Sequence, residues 1–301
     1  MAKNKILIIG GTGFLGYHLG KGCLKKNWKV TIFSLNNPKK KRHLGRKVSY
    51  IKGDISKIRD LKKIKKNFDY IVNFGGYVNH SDKRVVYNSH FVGCKNLVKI
   101  FSKKKLKLFL QISSGTEYGY MKPPHKESMI CRPQTIYAKA KSLATKFLIN
   151  ENLKNNFPCV ILRLYQVYGK KQDSNRIIPF IIKSCLDKKT FPCSDGKQYK
   201  DFIEVDEVIK AIFKIFKLNI NGEIINIGSG KALQIKKIIN FIRSKIKTGT
   251  PQFGKIKIRK EEINKYYPSI NKAKSLINWS PKIDFERKIV SLINFQKRER
   301  E

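Results

Sequence analysis

The stretch Lys5–Gly16, KILIIGGTGFLG, constrains this chain more than any other. Four consecutive apolar residues, Ile6 to Ile9, fit a strand buried on both faces, because a strand with one wet face alternates apolar and polar side chains. The run enters a glycine cluster directly, and a helical pattern from Phe14 to Leu24 follows. Glycines at 10, 11, 13 and 16 satisfy G-x-x-G-x-x-G and, counted from Gly11, G-x-G-x-x-G. Such a turn needs a residue free to take positive φ, a backbone that a pyrophosphate can approach, and a helix packed tightly on its strand. The unpaired N–H groups and positive dipole end of that helix then receive the anion. A strand, a tight turn and a helix start in this order point to nucleotide binding.

Length and composition bound the rest. A chain of 301 residues, 41% hydrophobic, can bury a sizeable core in one large domain or two intimate lobes. The first apolar run is only a strand long, so the reading is a cytoplasmic protein without a signal peptide, transmembrane span or membrane insertion. Cysteines 23, 94, 131, 159, 185 and 193 show no metal-ligand spacing and read as reduced thiols, with no metal expected. The net charge of +44 suits anionic partners, but lysine is spread over the whole chain. Its dense clusters are Lys39–Arg42, Lys62–Lys66 and Lys103–Lys105. With isoleucine and asparagine also abundant, most of this charge reads as compositional drift on solvated faces, and no specific nucleic-acid partner is expected.

After the first helix, Lys29–Leu35 reads as a second strand. Its end is where dinucleotide folds place an acidic residue on the adenosine ribose. No Asp or Glu precedes Asp54, whereas Ser34 and the cations Lys39, Lys40, Lys41 and Arg42 are nearby. A carboxylate repels a 2′-phosphate; a hydroxyl and cations welcome one. NADP is therefore favoured over NAD. Val48–Ile51 is a third strand leading to Asp54, which either contacts a ligand or caps a basic amphipathic helix. Asp69–Phe74 is a fourth strand, ending at Gly75 and Gly76, which allow close backbone approach. A helix over 87–101 and a fifth strand, Leu106–Ser114, complete an alternation that demands right-handed crossovers, a parallel sheet and a site at its carboxyl edge.

The chemistry follows that fifth strand. Ser113, Ser114, Thr116 and Tyr118 lie at or just past its end. A helix over 138–150 is entered through Tyr137, and Tyr137 and Lys141 are spaced i, i+4 on one face. A free tyrosine is a poor base at neutral pH, with a pKa of about 10, and a neighbouring ammonium lowers it. The pair makes a proton relay.

Here the residues resemble the extended short-chain dehydrogenase/reductase family, in particular its nucleotide-sugar epimerases, dehydratases and reductases. The likeness runs through SSGTEYG at 113–119, LRLYQVYG at 162–169, GKQYKDFIEVDEV at 196–208 and NWSP at 278–281. Residues 162–216 look closest to 4-keto-sugar reductases of the CDP-abequose synthase type. The resemblance implies a doubly wound parallel α/β sheet of the Rossmann kind over 1–168, with a smaller C-terminal α/β substrate lobe over 169–301 interleaved with returning sheet elements. It implies a catalytic Ser114, Tyr137 and Lys141, with Lys141 holding both the tyrosine and the nicotinamide ribose. It places Gly10, Thr12, Gly13, Phe14, Leu15, Gly16, Ser34, Asp54, Ile55, Gly75 and Gly76 on the cofactor, NADP or NAD. Thr116, Gln166, Lys200 and Arg259 would meet a nucleotide-diphosphate sugar. A homodimer stays open.

The departures from the family pattern are informative. Gln166 replaces a common Asn, Lys200 a common Arg, and His90 a helical Asn. Gly115 and Thr116 occupy the positions where 4,6-dehydratases carry an Asp–Glu pair, so elimination of water has no obvious catalyst. Glu117, one residue on, should point elsewhere. The leading expectation is reduction of a 4-keto sugar in polysaccharide biosynthesis, followed by 4-epimerisation through a retained cofactor. A non-catalytic RNA-binding role is third, opposed by the intact Ser, Tyr and Lys.

Overall fold

The computed structural model describes residues 3–64, 67–77, 79, 81–102, 105–258, 262–282 and 284–300. Arg259, and the parts of the lysine clusters at 65–66 and 103–104, lie outside the described residues. The first part of the chain runs β1 (Lys5–Ile9), α1 (Phe14–Lys25), β2 (Lys29–Ser34), β3 (Val48–Lys52), α2 (Ile58–Leu61), β4 (Tyr70–Asn73), α3 (Lys83–Tyr87), α4 (Gly93–Phe101), β5 (Leu108–Ser114), α5 (Ile136–Asn155) and β6 (Cys159–Leu164). The remainder runs β7 (Gln166–Tyr168), α6 (Ile177–Leu186), β8 (Thr190–Pro192), β9 (Tyr199–Glu204), α7 (Val205–Ile215), β10 (Glu223–Ile227), β11 (Ala232–Gln234), α8 (Ile235–Ile246), β12 (Thr250–Gln252), β13 (Lys265–Tyr266), α9 (Asn271–Ile277) and α10 (Phe285–Arg298).

Seven strands pair in parallel in the order β10-β6-β5-β4-β1-β2-β3. Strand side chains alternate between faces, so β1 sends Ile6 and Ile8 to one side and Leu7 and Ile9 to the other. All four are at most 1% exposed. Ile6 and Ile8 join a core with Val30, Ile32 and the apolar faces of α1 and α7. Leu7 and Ile9 join a second core with Phe33, Ile71 and residues of α4 and α5. A third cluster, from α6, α8 and α10, lies under a smaller sheet in which β9 pairs with β7, β11 and β13. β10 leaves that region and returns to the main sheet beside β6. Among the described residues no helix is long and apolar enough to cross a membrane.

Several boundaries differ from the sequence expectation. The basic helix after Asp54 is a single turn, α2, and Lys57, not Asp54, precedes it as N-cap. Asp54 turns its carboxylate back onto Ser56, accepting from its N and Oγ at 2.8 Å each. The sequence over 231–247 reads as one helix, but residues 232–234 pair antiparallel with β9 and the helix begins at Ile235. The stretch 256–259 reads as a strand from its sequence, yet none forms over 256–258; the strand in this region is β12, paired with β8. Asn88–Val92 form a π-type turn joining α3 to α4, so one continuous helical segment covers 83–101.

The glycine turn is held by backbone contact. Gly10 has φ +70°. A Cβ on Gly16 would stand 2.4 Å from Gly11 Cα and 2.7 Å from Gly10 O, neither of which can swing aside. Gly16→Ala must therefore push α1 off β1, and we expect it to lower unfolding stability by roughly 2–4 kcal/mol. A shift in the guanidinium midpoint at unchanged slope measures this; an unchanged midpoint would refute the contact.

Candidate active site

The carboxyl ends of β1, β4 and β5 open on one edge, as right-handed parallel winding requires. At β1 the N-cap of α1, Gly13, carries no side-chain cap, leaving the first-turn N–H groups around Phe14 and Leu15 to an anion. A Cβ on Gly13 would meet only Gly10 O, at 3.1 Å, so that side of the turn is open. Thr12 N donates to Ser34 Oγ (3.3 Å), tying the turn to the end of β2. Ile55 is buried against Gly93, and its carbonyl oxygen accepts from Asn96 Nδ2 (3.0 Å). This uncapped, open glycine turn fits a dinucleotide pyrophosphate.

Gly75 and Gly76 are also required by packing within the protein. A Cβ on Gly76 would lie 1.8 Å from Cε1 of His90, and one on Gly75 2.8 Å from Ile9 Cγ2. Their missing side chains make room for protein. The π-type turn brings His90 to this position, where its ring meets Tyr137 edge-on at 5.0 Å.

At β5, Ser114 caps a short 3₁₀ turn over Gly115–Tyr118. Its Oγ accepts from Thr116 N (3.2 Å) and Thr116 Oγ1 (2.9 Å). Thr135 caps α5 by accepting from Ala138 N (3.2 Å), and this fixes Tyr137 in the first helical turn. The Tyr137 side chain faces Ser114, and Lys141 Nζ lies 5.9 Å from the Tyr137 ring centre. Lys141 is 4% exposed and donates to Ile112 O at 2.7 Å. Ser114, Thr116, Tyr137 and Lys141 are thus gathered in one place.

The electrostatics run opposite to the sequence expectation for the tyrosine. Burial pushes Tyr137 up to about 12, against the smaller pull of Ser114. The ammonium expected to lower it is committed to the Ile112 carbonyl, and burial brings Lys141 itself down to about 8, with Glu117 opposing. The pair is a neutral phenol beside an amine that gives up its proton more readily than an ordinary lysine.

Glu117 does point away from the edge. It is fully buried and takes Arg163 Nη2 (3.0 Å), Thr145 Oγ1 (3.0 Å) and a short bond from Ser113 Oγ. Thr145 continues the row Tyr137, Lys141 along α5, so the carboxylate sits at its inner end.

Sequence reasoning missed three aromatic neighbours. Tyr266 from β13 reaches across to lie beside Ser114. Tyr165 lies beside it, ring centres 4.7 Å apart, and is joined to the buried His125, whose Nδ1 is 3.0 Å from Tyr165 Oη. His125 Nε2 donates to the Met121 carbonyl oxygen (3.0 Å), which leaves Nδ1 to accept the Tyr165 proton. A Cβ at position 115 would stand 2.6 Å from Tyr165 Cζ and 2.7 Å from Tyr266 Oη. Glycine at 115 was the available signal: it removes an acid and also admits two rings.

Of the remaining expected contacts, Lys200 is engaged within the protein. Lys200 is held by a short ion pair to Glu262, donates to Ile263 O (2.7 Å) and lies over the Tyr266 ring. Gln166 is exposed at the start of β7. The cations after β2 are engaged as well: Lys39, Lys41 and Arg42 all reach Asp173. Among the described residues no cluster of His, Cys, Asp and Glu could hold a metal ion.

Lys141 gives a pH test. Its folded value, about 8, lies below the ordinary lysine value of about 10.4, so between them the native state binds fewer protons than the unfolded chain. Its contribution to stability therefore rises with pH across that window. Lys141→Met abolishes the titration, so wild-type minus variant stability should climb by roughly 2–4 kcal/mol from pH 8 to 10.5 in urea unfolding. A flat difference would show that the amine is not desolvated.

A model of the NAD dependent epimerase/dehydratase family matches residues 6–228. A putative UDP-glucose 4-epimerase of Methanocaldococcus jannaschii is 28% identical, covering 97% of this chain and 98% of its own. A CDP-abequose synthase of Salmonella muenchen is 23% identical, covering 98% of each. The UDP-glucuronic acid 4-epimerase of Bacillus cereus, solved with UDP-glucuronic acid and NAD, superposes with a TM-score of 0.88 at 24% identity, covering 98% of this chain and 99% of that one. With the glycine turn, the parallel sheet and the Ser–Tyr–Lys group at its edge, the match places this chain in the NAD dependent epimerase/dehydratase family of nucleotide-sugar enzymes.

Proposed function

We propose that the protein is an NAD-dependent nucleotide-sugar 4-epimerase acting in the cytoplasm on a UDP-hexose or a related nucleotide sugar. Residues 1–168 hold the dinucleotide and 169–301 form most of the sugar-nucleotide lobe. The observation that carries the reading is the meeting of Ser114, Tyr137 and Lys141 at the end of β5, with no carboxylate at 115 or 116. When bound, a nicotinamide would supply reversible hydride transfer at sugar C4 and, in its oxidised form, a positive charge in the site. Tyr137 moves the proton at the O4 oxygen. Ser114, oriented by Thr116, hydrogen-bonds the same oxygen and keeps it in line with the phenol. Lys141 positions the cofactor ribose and favours the phenolate once a second positive charge is near. Gly10, Gly13 and the start of α1 hold the pyrophosphate; Asp54 and Ile55 border the adenine. Thr116, Gln166, Lys200 and Arg259 are proposed for the sugar nucleotide.

Dehydration is disfavoured on steric as well as chemical grounds, since Tyr165 and Tyr266 fill the space that a side chain at 115 would need. Grafting Gly115→Asp with Thr116→Glu should yield no 4-keto-6-deoxy product from an NDP-hexose. Its appearance by mass spectrometry would overturn that argument.

Reduction of a 4-keto sugar is the second reading, favoured by Ser34 at the acid-free end of β2 and by the likeness to CDP-abequose synthase. NADP(H) would serve it. The commitment of Lys39, Lys41 and Arg42 to Asp173 weighs for NAD and hence for epimerisation. Incubating the protein with UDP-hexoses and catalytic NAD should give C4 epimers by chromatography without net NADH. Stoichiometric NADPH consumption with a 4-keto sugar, and no epimer from any UDP-, CDP- or dTDP-hexose, would select the reductase. Tyr137→Phe should retain NAD binding and lose more than nine-tenths of turnover in either case, because only the ionisable hydroxyl is removed. Retention of activity would remove the tyrosine from the mechanism.

A further inference from the structure

The loop after β7 crosses the molecule to the turn that follows β2. His18 of α1 meets the Lys170 carbonyl oxygen at 2.9 Å. Lys41 Nζ donates to Gln172 O (3.3 Å) and Arg42 Nη1 to Lys171 O (3.4 Å). The side chain of Asp173 then collects the cations: Lys39 at 3.0 Å, Lys41 at 3.7 Å and Arg42 at 3.0 Å. Arg42 is only 5% exposed, so this is a packed contact, not a loose surface pair. Burial pushes the Asp173 carboxyl up, but hydrogen bonds from Lys39 and Arg42 outweigh it and hold the group below the usual carboxylate range.

The turn after β2 is the wall of the adenosine end in a sheet of this kind, where an acid meets the ribose 2′-hydroxyl and cations meet a 2′-phosphate. β2 offers Ser34 and no acid. The acid that does reach this wall comes from 131 residues downstream of Arg42. A 2′-phosphate entering here meets a carboxylate already seated on the cations and has to displace it or lie beside it, like charge against like. A 2′-hydroxyl meets no such competitor.

We propose that Asp173 determines cofactor specificity: by holding Lys39, Lys41 and Arg42 it keeps the adenosine end selective for NAD(H), and its removal opens the site to NADP(H). The proposal rests on the nicotinamide-dependent function above and deepens it.

Binding of NADH and NADPH to the cofactor-free protein, followed by quenching of its intrinsic fluorescence, tests it without any sugar substrate. The wild type should bind NADH at least as tightly as NADPH. Asp173→Asn should tighten NADPH about tenfold, with NADH changed less than about twofold. The gain should shrink as salt rises, because two of the three cations, Lys39 and Lys41, are exposed. Asp173→Glu, which keeps the charge, should retain the wild-type ratio. Lys39 is exposed, so Lys39→Glu folds even where Asp173→Asn does not, and it should weaken NADPH relative to NADH about threefold or more. An unchanged NADPH/NADH ratio in Asp173→Asn or in Lys39→Glu, or a wild type already preferring NADPH, overturns the role of Asp173 while leaving the enzyme reading intact. Failure of the wild type to bind either nucleotide overturns both.

Discussion

Because β1 is dry on both faces, helices must cover the sheet above and below, and a chain that alternates strand and helix can achieve this only by winding every strand in the same direction. All carboxyl ends then share one edge, and the helices that follow them begin there too. The glycine turn, Ser114 and the first turn of α5 are neighbours for that reason, although 98 and more positions separate the turn at Gly16 from Ser114 in the chain. The sheet also removes any need for the site to build its own scaffold, since β5, buried at every residue, carries Ser114 at its last position.

Below that edge lies a buried charge network. An isolated carboxylate at full burial costs several kcal/mol, and the cost is offset only where partners and geometry are good. Glu117 has Arg163, Ser113 and Thr145 around it, and Arg163 in turn stacks on Tyr118 at 4.6 Å. These contacts join the 3₁₀ turn, β5, β6 and α5, the elements that orient Ser114, Tyr137 and Lys141. A network of this kind contributes little net stability but disfavours alternative packings of the same elements. The site is rigid from beneath and, toward the ligand, is bounded by Tyr165 and Tyr266.

Much of the fold was legible in the sequence because it is encoded locally. The Ile6–Ile9 run and the glycine spacing carry their own period and punctuation. Tyr137 and Lys141 were legible because i, i+4 spacing on a helix is itself a geometric statement. What stayed hidden depends on distant partners. Residues 232–234 look helical, yet pairing with β9 outweighs a weak propensity. The cations at 39–42 looked available to a phosphate until Asp173 folded onto them. Tyr266 reaches Ser114 from the far end of the chain, and nothing near either residue announces the contact. The Tyr137 hydroxyl was expected to be acidified by its neighbour, but desolvation exceeded that pull.

The return of β10 to the main sheet bears on how the protein is made. Synthesis proceeds from the N-terminus at roughly 5–20 residues per second, so β6 is finished several seconds before residues 223–227 exist. During that interval the strand Cys159–Leu164, apolar except for Arg163, is the open edge of a growing sheet. The intervening segment, with α6 and α7, emerges while that edge waits. A ribosome that slows within this stretch prolongs the exposure of that edge.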